Sequence, residues 1–231
     1  MTVMPTVVPV ADHAVLVGFG AEINDATLSR IHALDAALTL SPPAGLTEIV
    51  PAMTTLLVAF DPMLTDHASI SAAVFDSLAS HTSTTLGTRH VIDVCYDGEH
   101  APDVSVAAER CGLTVAEVVE AHLASTFIVG MYGFAPGYAY LYGTPAEIQL
   151  PRNPAPGPAV PAGSVIIAGQ QCLIIPVAMS TGWFAIGRTA KQMLTADPDR
   201  SFLVDVGDTV KFRRVDAIEL HRQLSEIPAK P

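Results

Sequence analysis

The sequence predicts two units of different class: an α+β unit over residues 1–94 and an all-β unit over residues 95–231. Three observations carry this. In the first part, two helical periodicities alternate with short apolar runs. In the second, short β-rich runs are separated by glycine and proline turns. Between Gly133 and Thr189 those turn residues become dense enough to shape the backbone, because glycine reaches positive φ and proline fixes φ.

In the first part, residues 6–10 and 14–19 read as strands. Asn24 or Asp25 caps a helix in which Leu28, Ile31, Leu34 and Leu38 recur at helical spacing, and Pro42, Pro43 and Gly45 end it. Leu46–Val50 and Thr54–Phe60 read as strands, the second stopped by Asp61-Pro62. Ile70, Val74 and Leu78 mark a second helix over about 66–80. A strand at His90–Val94 is expected to complete the unit. This order fits a ferredoxin-like sandwich, with helices on one face of an antiparallel sheet. Gly18-Phe19-Gly20 lacks the third glycine of a dinucleotide loop and reads as a strand end. No Gly-x-x-x-x-Gly-Lys phosphate loop occurs.

The second part opens on a polar turn, Cys95–Asp103, that holds Glu99, His100 and Asp103. Two short helices follow. The second begins at Thr114, with Glu117 three residues on as a capping box and Val115, Val118, Val119 and Leu123 as its apolar face. Thr126–Tyr132 reads as a buried strand. Tyr138, Tyr140 and Tyr142 alternate and would share a face if extended. Five prolines from Pro151 to Pro161 forbid helix or central strand, which leaves an ordered loop. Gly163–Ala168, Leu173–Pro176, Phe184–Gly187, Ser201–Val204 and Thr209–Val215 read as strands of a closed or nearly closed barrel. The polar tail after Leu220 is expected to fray.

Bulk properties narrow the function. The chain of 231 residues is half apolar and 15% charged, long enough for a well-buried core. A net charge of −11 argues against a nucleic-acid or anionic-membrane partner. No apolar run reaches the roughly 18 residues of a membrane span, and the N-terminus lacks the basic start of a signal peptide. Cys95, Cys111 and Cys172 are odd in number and lack metal spacing, which fits a reducing cytoplasm.

The chemistry concentrates in Gly133–Thr189, which holds Trp183, the only tryptophan, and two arginines, Arg152 and Arg188. Tyr132 to Tyr142 contributes four of the five tyrosines. The stretch has no carboxylate pair, no metal-ligand cluster and no histidine. Aromatic walls, backbone amides and two guanidinium groups suit a planar anionic or amide-bearing molecule. Arg152 reads as a carboxylate or phosphate fork, whereas Arg188 reads equally as such a fork or as a structural arginine pairing with backbone carbonyls or Glu147. Trp183 reads equally as core plug or pocket wall. Gln171 reads equally as amide reader or strand-turn partner. Ser164 lacks a nucleophile elbow.

Four blocks within this stretch resemble one known family. They are Gly133-Phe134 with Pro136-Gly137-Tyr138, Tyr140 and Leu141; Pro151-Arg152 with Val160–Val165; Ile167–Gln171; and Gly182–Thr189. Their order is similar to that of the B-type component of prokaryotic 5-oxoprolinase, also called allophanate hydrolase subunit 1, a family that includes a Kip-type inhibitor of a sporulation kinase. The resemblance implies a cyclophilin-like barrel for the second unit and a ferredoxin-like first unit. It further implies work with a homologous C-type subunit and an A-type (LamB/YcsF) subunit, opening the lactam of 5-oxoproline to glutamate with ATP. It points to Phe134, Pro136, Gly137, Tyr138, Arg152, Gly163, Gln171, Trp183 and Arg188 as substrate-binding residues. It also flags Glu99 and Asp103, which read equally as a helix cap and turn tie; His100 is the histidine nearest them. No metal is implied.

The sequence departs from the family pattern at several positions. Gly157 stands where a second Pro-Arg arginine is usual. Ile175 stands for a tyrosine, and Gln170–Leu173 replaces an Asn-Gln-Thr-Gly block. These changes keep two alternatives open: an allophanate hydrolase or urea-carboxylase-like carboxyltransferase subunit, for which biotin would be the cofactor, and a Kip-like inhibitor of a histidine kinase.

Overall fold

A computed structural model describes residues 4–80, 87–197 and 200–227. The chain divides into two compact units, Met1–Leu86 and Gly87–Pro231.

The first unit contains strands β1 (Thr6–Val10) and β2 (Ala14–Gly18), helix α1 (Asp25–Leu40), strands β3 (Leu46–Pro51) and β4 (Thr55–Phe60), and helix α2 (His67–Ser80). Asn24 caps α1, its side chain accepting from the Thr27 amide at 2.9 Å. The four strands form an antiparallel sheet in the order β1-β2-β4-β3. Val15 lies opposite Val58 and Val17 opposite Leu56, so these side chains share one face. Ile31, Leu34 and Leu38 of α1 and Ile70 and Val74 of α2 bury against that face. The coarse expectation of strands and helices in this order holds, with one correction. The strand expected to complete this unit, His90–Val94, does not join its sheet and belongs to the second unit.

The second unit begins with that strand, β5 (Arg89–Val94). Helices α3 (Val104–Cys111) and α4 (Val115–Ala124) follow, then β6 (Phe127–Tyr132), β7 (Ala139–Tyr142), the short β8 (Ala159–Val160), β9 (Ser164–Ala168) and β10 (Gln171–Ile174). The short β11 (Met179–Ser180), β12 (Phe184–Arg188), β13 (Thr209–Arg214) and helix α5 (Ala217–Ser225) complete it. Seven strands form one sheet in the order β12-β9-β10-β7-β6-β13-β5. β5 runs parallel to β13, with Arg89 opposite Thr209 and Val94 opposite Arg214. The sheet curls until its two edges meet: Cys95 and Arg188 exchange two backbone hydrogen bonds of 2.8 Å each. The result is a nearly closed barrel.

Two positions differ from the sequence reading. Ser201–Val204 forms only an isolated bridge, Phe202 to Leu194, because its backbone turns away to reach Met193 and Thr195. The segment around Leu220 is ordered rather than frayed. α5 is capped by Asp216, buries Leu220 completely, and ties back to β5 through Gln223 Nε2, which donates to Asp93 at 3.0 Å. Pro228–Pro231 lies outside the described residues.

Inside the barrel, Phe127, Leu141, Ile167, Phe184, Ile186 and Phe212 pack with α3 and α4. His122 of α4 sits among them, fully buried and stacked on Phe212 at 4.6 Å. Tyr96 Oη and His122 Nδ1 share a hydrogen bond of 2.8 Å, and His122 Nε2 lies 3.5 Å from Cys172 Sγ. Burial pushes His122 down to about 3 and the Cys172 thiol up. A cysteine beside a histidine is a nucleophile pattern, but this neutral, solvent-free pair is inert.

Candidate functional site

The bend Gly133–Tyr138 connects β6 to β7. It is built by tight backbone bonds: Ala135 N to Gly133 O at 2.8 Å, Tyr138 N to Ala135 O at 3.0 Å and Gly133 N to Tyr138 O at 3.2 Å. Gly137 takes φ +75°, and Phe134 takes φ +67°, which is unusual for a residue with a side chain. Phe134 is 78% exposed, so the strained bend holds an aromatic ring out in solvent.

From this bend a row of aromatic rings crosses the outer face of the barrel. Phe134 and Tyr138 centroids lie 5.1 Å apart, Tyr138 and Tyr140 5.3 Å, and Tyr140 and Trp183 6.0 Å. Tyr138 is 5% exposed and packs with Ile166, Leu173, Ile175 and Ala185. It is therefore a core side chain rather than an open wall. Burial pushes its hydroxyl up to about 12; neighbouring Tyr140 adds to this and the positive charge of Arg152 offsets part of it. Trp183 is half-buried at the edge of the same cluster. The proline loop closes over this face, with Asn153 N donating to Gly182 O at 2.8 Å and Gly157 N to Thr181 O at 2.9 Å, while β8 pairs with β11. Arg152 is exposed and lies along Gly182, where a Cβ would stand 3.0 Å from its Nε.

Beside the aromatic face lies a pocket of about 510 Å³. Its polar groups come from Arg188, Thr189, Lys191 and Gln192; its apolar walls include Ile175, Met193, Leu194, Leu224 and Ile227. Gly163 and Pro176 also line it. Gly137 supports the wall from behind, since a Cβ there would meet Leu194 at 2.9 Å and Pro176 at 3.3 Å. Arg188 Nε is buried and makes no hydrogen bond within the described protein. A buried donor without an acceptor costs about 1–3 kcal/mol, and a carboxylate or carbonyl oxygen from a ligand would remove that cost.

The structure therefore brings Gly163 and Arg188 into one pocket, with Gly137 against its wall. It places Tyr138, Trp183 and Arg152 on the neighbouring aromatic face and Phe134 and Pro136 on the exposed tip of the bend. Gln171 begins β10, at the opposite end of that strand from Ile175 and the pocket. Asp103 is a tie: its Oδ2 accepts from Ala185 N at 2.8 Å and its own amide donates to Ala185 O at 3.0 Å, bracing β12 at a bulge. It makes no side-chain cap bond to α3. Glu99 and His100 stand apart from the pocket lining, in the turn Gly98–His100. The sequence reading missed Lys191, Leu224 and Ile227. Lys191 follows the Gly-Arg-Thr block by two residues and was within reach of the motif; the other two depended on recognising α5.

Comparison with known proteins settles the lineage. The family model for the carboxyltransferase domain, subdomains C and D, matches residues 5–204. The chain belongs to that family. Within the carboxyltransferase domain family it is 32% identical to the B-type component of 5-oxoprolinase from Bacillus subtilis (strain 168) over 238 residues, covering 98% of this chain and 99% of that one. It is 40% identical to the corresponding 5-oxoprolinase component from Escherichia coli O157:H7 over 121 residues, 52% of this chain and 56% of that one. Among solved structures it resembles TTHA0988, with a TM-score of 0.76 and 29% identity over 95% of this chain. This chain spans 41% of the length of TTHA0988. Among the described residues, no helix is long and apolar enough to cross a membrane.

Proposed function

We propose that the chain is the B-type component of a 5-oxoprolinase, which hydrolyses the lactam of 5-oxoproline to glutamate together with C-type and A-type partner subunits. The observation that carries this reading is the end-to-end likeness to the Bacillus subtilis component. The pocket supports it. A five-membered lactam bearing one carboxylate is small enough for about 510 Å³, and its apolar ring edge matches Ile175, Met193 and Leu194. Arg188 Nε provides the buried donor for an anionic or carbonyl oxygen, and Lys191 adds a second positive charge in a chain of net charge −11.

The division of labour follows from what the pocket contains. It binds and orients, and among the described residues neither a carboxylate side chain nor a histidine lines it for proton transfer. Proton transfer is therefore assigned to the partner subunits, and the chain is expected to be inactive alone. The sequence holds no Gly-x-x-x-x-Gly-Lys phosphate loop, and ATP is assigned to the complex. Phe134, held out in solvent by its own backbone, is the residue we assign to the contact with the C-type partner.

We read the first unit as ferredoxin-like, with its fourth strand supplied from the N-terminus as β1, and the second as a cyclophilin-like barrel. Three free cysteines, two of them buried, agree with a cytoplasmic location. The test is reconstitution. The chain should co-purify with a C-type partner, and the full set of subunits should turn over 5-oxoproline and ATP. A reconstituted complex that retains full turnover when this chain is omitted would overturn the assignment.

A further inference from the structure

Outside the pocket, one group of side chains has no role in the reading above. Glu99 and His100 lie in the 3₁₀ turn Gly98–His100, and His221 lies on α5. The turn is set by Gly98 at φ +55° and by the His100 amide donating to Asp97 O at 3.1 Å. The three side chains each offer a ligand atom, and all three atoms lie within 4.8 Å of one another. The two imidazole rings meet edge to face, with centroids 5.1 Å apart. His100 is only 5% exposed, yet its Nδ1 is buried without a hydrogen-bond partner among the described residues. A histidine in a folded protein normally has its ring nitrogens satisfied, so an orphaned nitrogen in a cluster of two imidazoles and one carboxylate is an unspent ligand set.

We propose that Glu99, His100 and His221 form a binding site for a divalent transition metal of the zinc type, which clamps α5 to the Gly98–His100 turn. Two nitrogens and one carboxylate oxygen are the donor set that zinc takes with a fourth position left to water or an incoming ligand. Magnesium and calcium require mostly oxygen ligands and are not served by it. The location gives the clamp a consequence. His221 and Leu224 are three residues apart on α5 and so lie on one side of the helix, and Leu224 with Ile227 walls the pocket. A metal at His221 therefore fixes the helix that forms that wall.

The experiment uses the full chain, free of any affinity tag and stripped with a chelator, in a Cys111→Ser background so that the half-exposed thiol contributes no ligand. Zinc chloride is titrated by calorimetry with magnesium chloride as the control. The expected result is saturable binding of one zinc per chain and none of magnesium. His221→Ala and Glu99→Gln alter exposed side chains and so leave the fold intact; each should weaken zinc binding at least ten-fold. Cobalt substituted for zinc should give the intense visible bands of a four-coordinate ion in the parent and lose them in His221→Ala. Hydrogen exchange over residues 217–227 should slow with zinc in the parent only. Absence of saturable zinc binding, or equal affinity in the parent and His221→Ala, overturns the proposal. None of these readouts depends on catalysis, so failure of the metal proposal is distinct from failure of the 5-oxoprolinase assignment.

Discussion

A Cβ on Gly163 would stand 2.1 Å from the carbonyl oxygen of Thr189, whose own amide donates to Gly163 O at 2.8 Å. Gly163 also holds φ +83°. This close approach joins the start of β9 to the residue after Arg188 and builds one wall of the pocket. Gly163→Ala should cost about 2–5 kcal/mol, from left-handed strain plus the backbone clash. Gly112 ends α3 at φ +69° with nothing within 4 Å of its would-be Cβ, so Gly112→Ala should lose only about 1 kcal/mol. Urea denaturation of both variants checks the contrast.

Arg188 contributes its backbone to the barrel seam and lines the pocket with its buried Nε unpaired, and the two roles separate on substitution. Arg188→Lys keeps the exchanged bonds with Cys95 and a positive charge but loses the Nε donor. Loss of one charge-assisted contact of about 1.5–3 kcal/mol should raise KM for 5-oxoproline in the reconstituted complex roughly ten- to hundred-fold. The urea midpoint should move little.

His122 makes stability depend on pH. Burial holds its folded-state value at about 3, against an ordinary 6.5. Below about pH 6.5 the unfolded chain takes up a proton that the folded chain refuses until about pH 3. Its contribution is therefore complete above 6.5 and is lost as pH falls between the two, by up to about 1.4 kcal/mol per unit. His122→Gln, neutral at every pH, should be less stable at pH 7 and show a shallower decline from pH 6.5 to 4, measured by urea midpoints.

Asp103 braces β12 through both of its bonds to Ala185. Asp103→Ala leaves the Ala185 N–H without its 2.8 Å acceptor and should cost about 1–3 kcal/mol. Asp103→Asn retains an acceptor and should keep both most of the stability and kcat in the complex. A large fall in kcat with unchanged stability in the Asn variant would place the carboxylate in the chemistry instead.

Phe134 pairs strain with exposure. Phe134→Gly relieves the left-handed backbone, so the isolated chain should hold or gain about 1 kcal/mol. If the ring is the contact with the C-type partner, the same variant should weaken co-purification at least ten-fold. Paired thermal melts and binding measurements separate the two effects.

Features whose two halves sit close in the sequence were legible there. Thr114 and Glu117 form the capping box that their spacing announces, with both reciprocal bonds present. Leu28, Ile31, Leu34 and Leu38 all bury on α1. What failed were assignments that depend on distant partners. β5 carries a strand pattern that says nothing about which sheet it joins, and its partner is β13. The alternation of Tyr138 and Tyr140 gave the shared aromatic face but not that Tyr138 lies under the proline loop. Glu99 and His100 were visible as polar residues in a turn, but their meeting with His221 required an amphipathic α5 that its charged residues disguised. The blocks around Gly163 and Arg188 led to the pocket because glycine and arginine there are fixed by backbone approach and by charge, both tied to residue type.

The pairing of Asp93 with Arg213 spans 120 positions of chain, and the strands around it are the first and last of their sheet. During synthesis the earlier unit has all four of its strands before this one starts, whereas the barrel has no partner for its opening strand until the ribosome has nearly finished. Nascent chains stalled before Thr209 should therefore display a folded first unit and a protease-sensitive remainder.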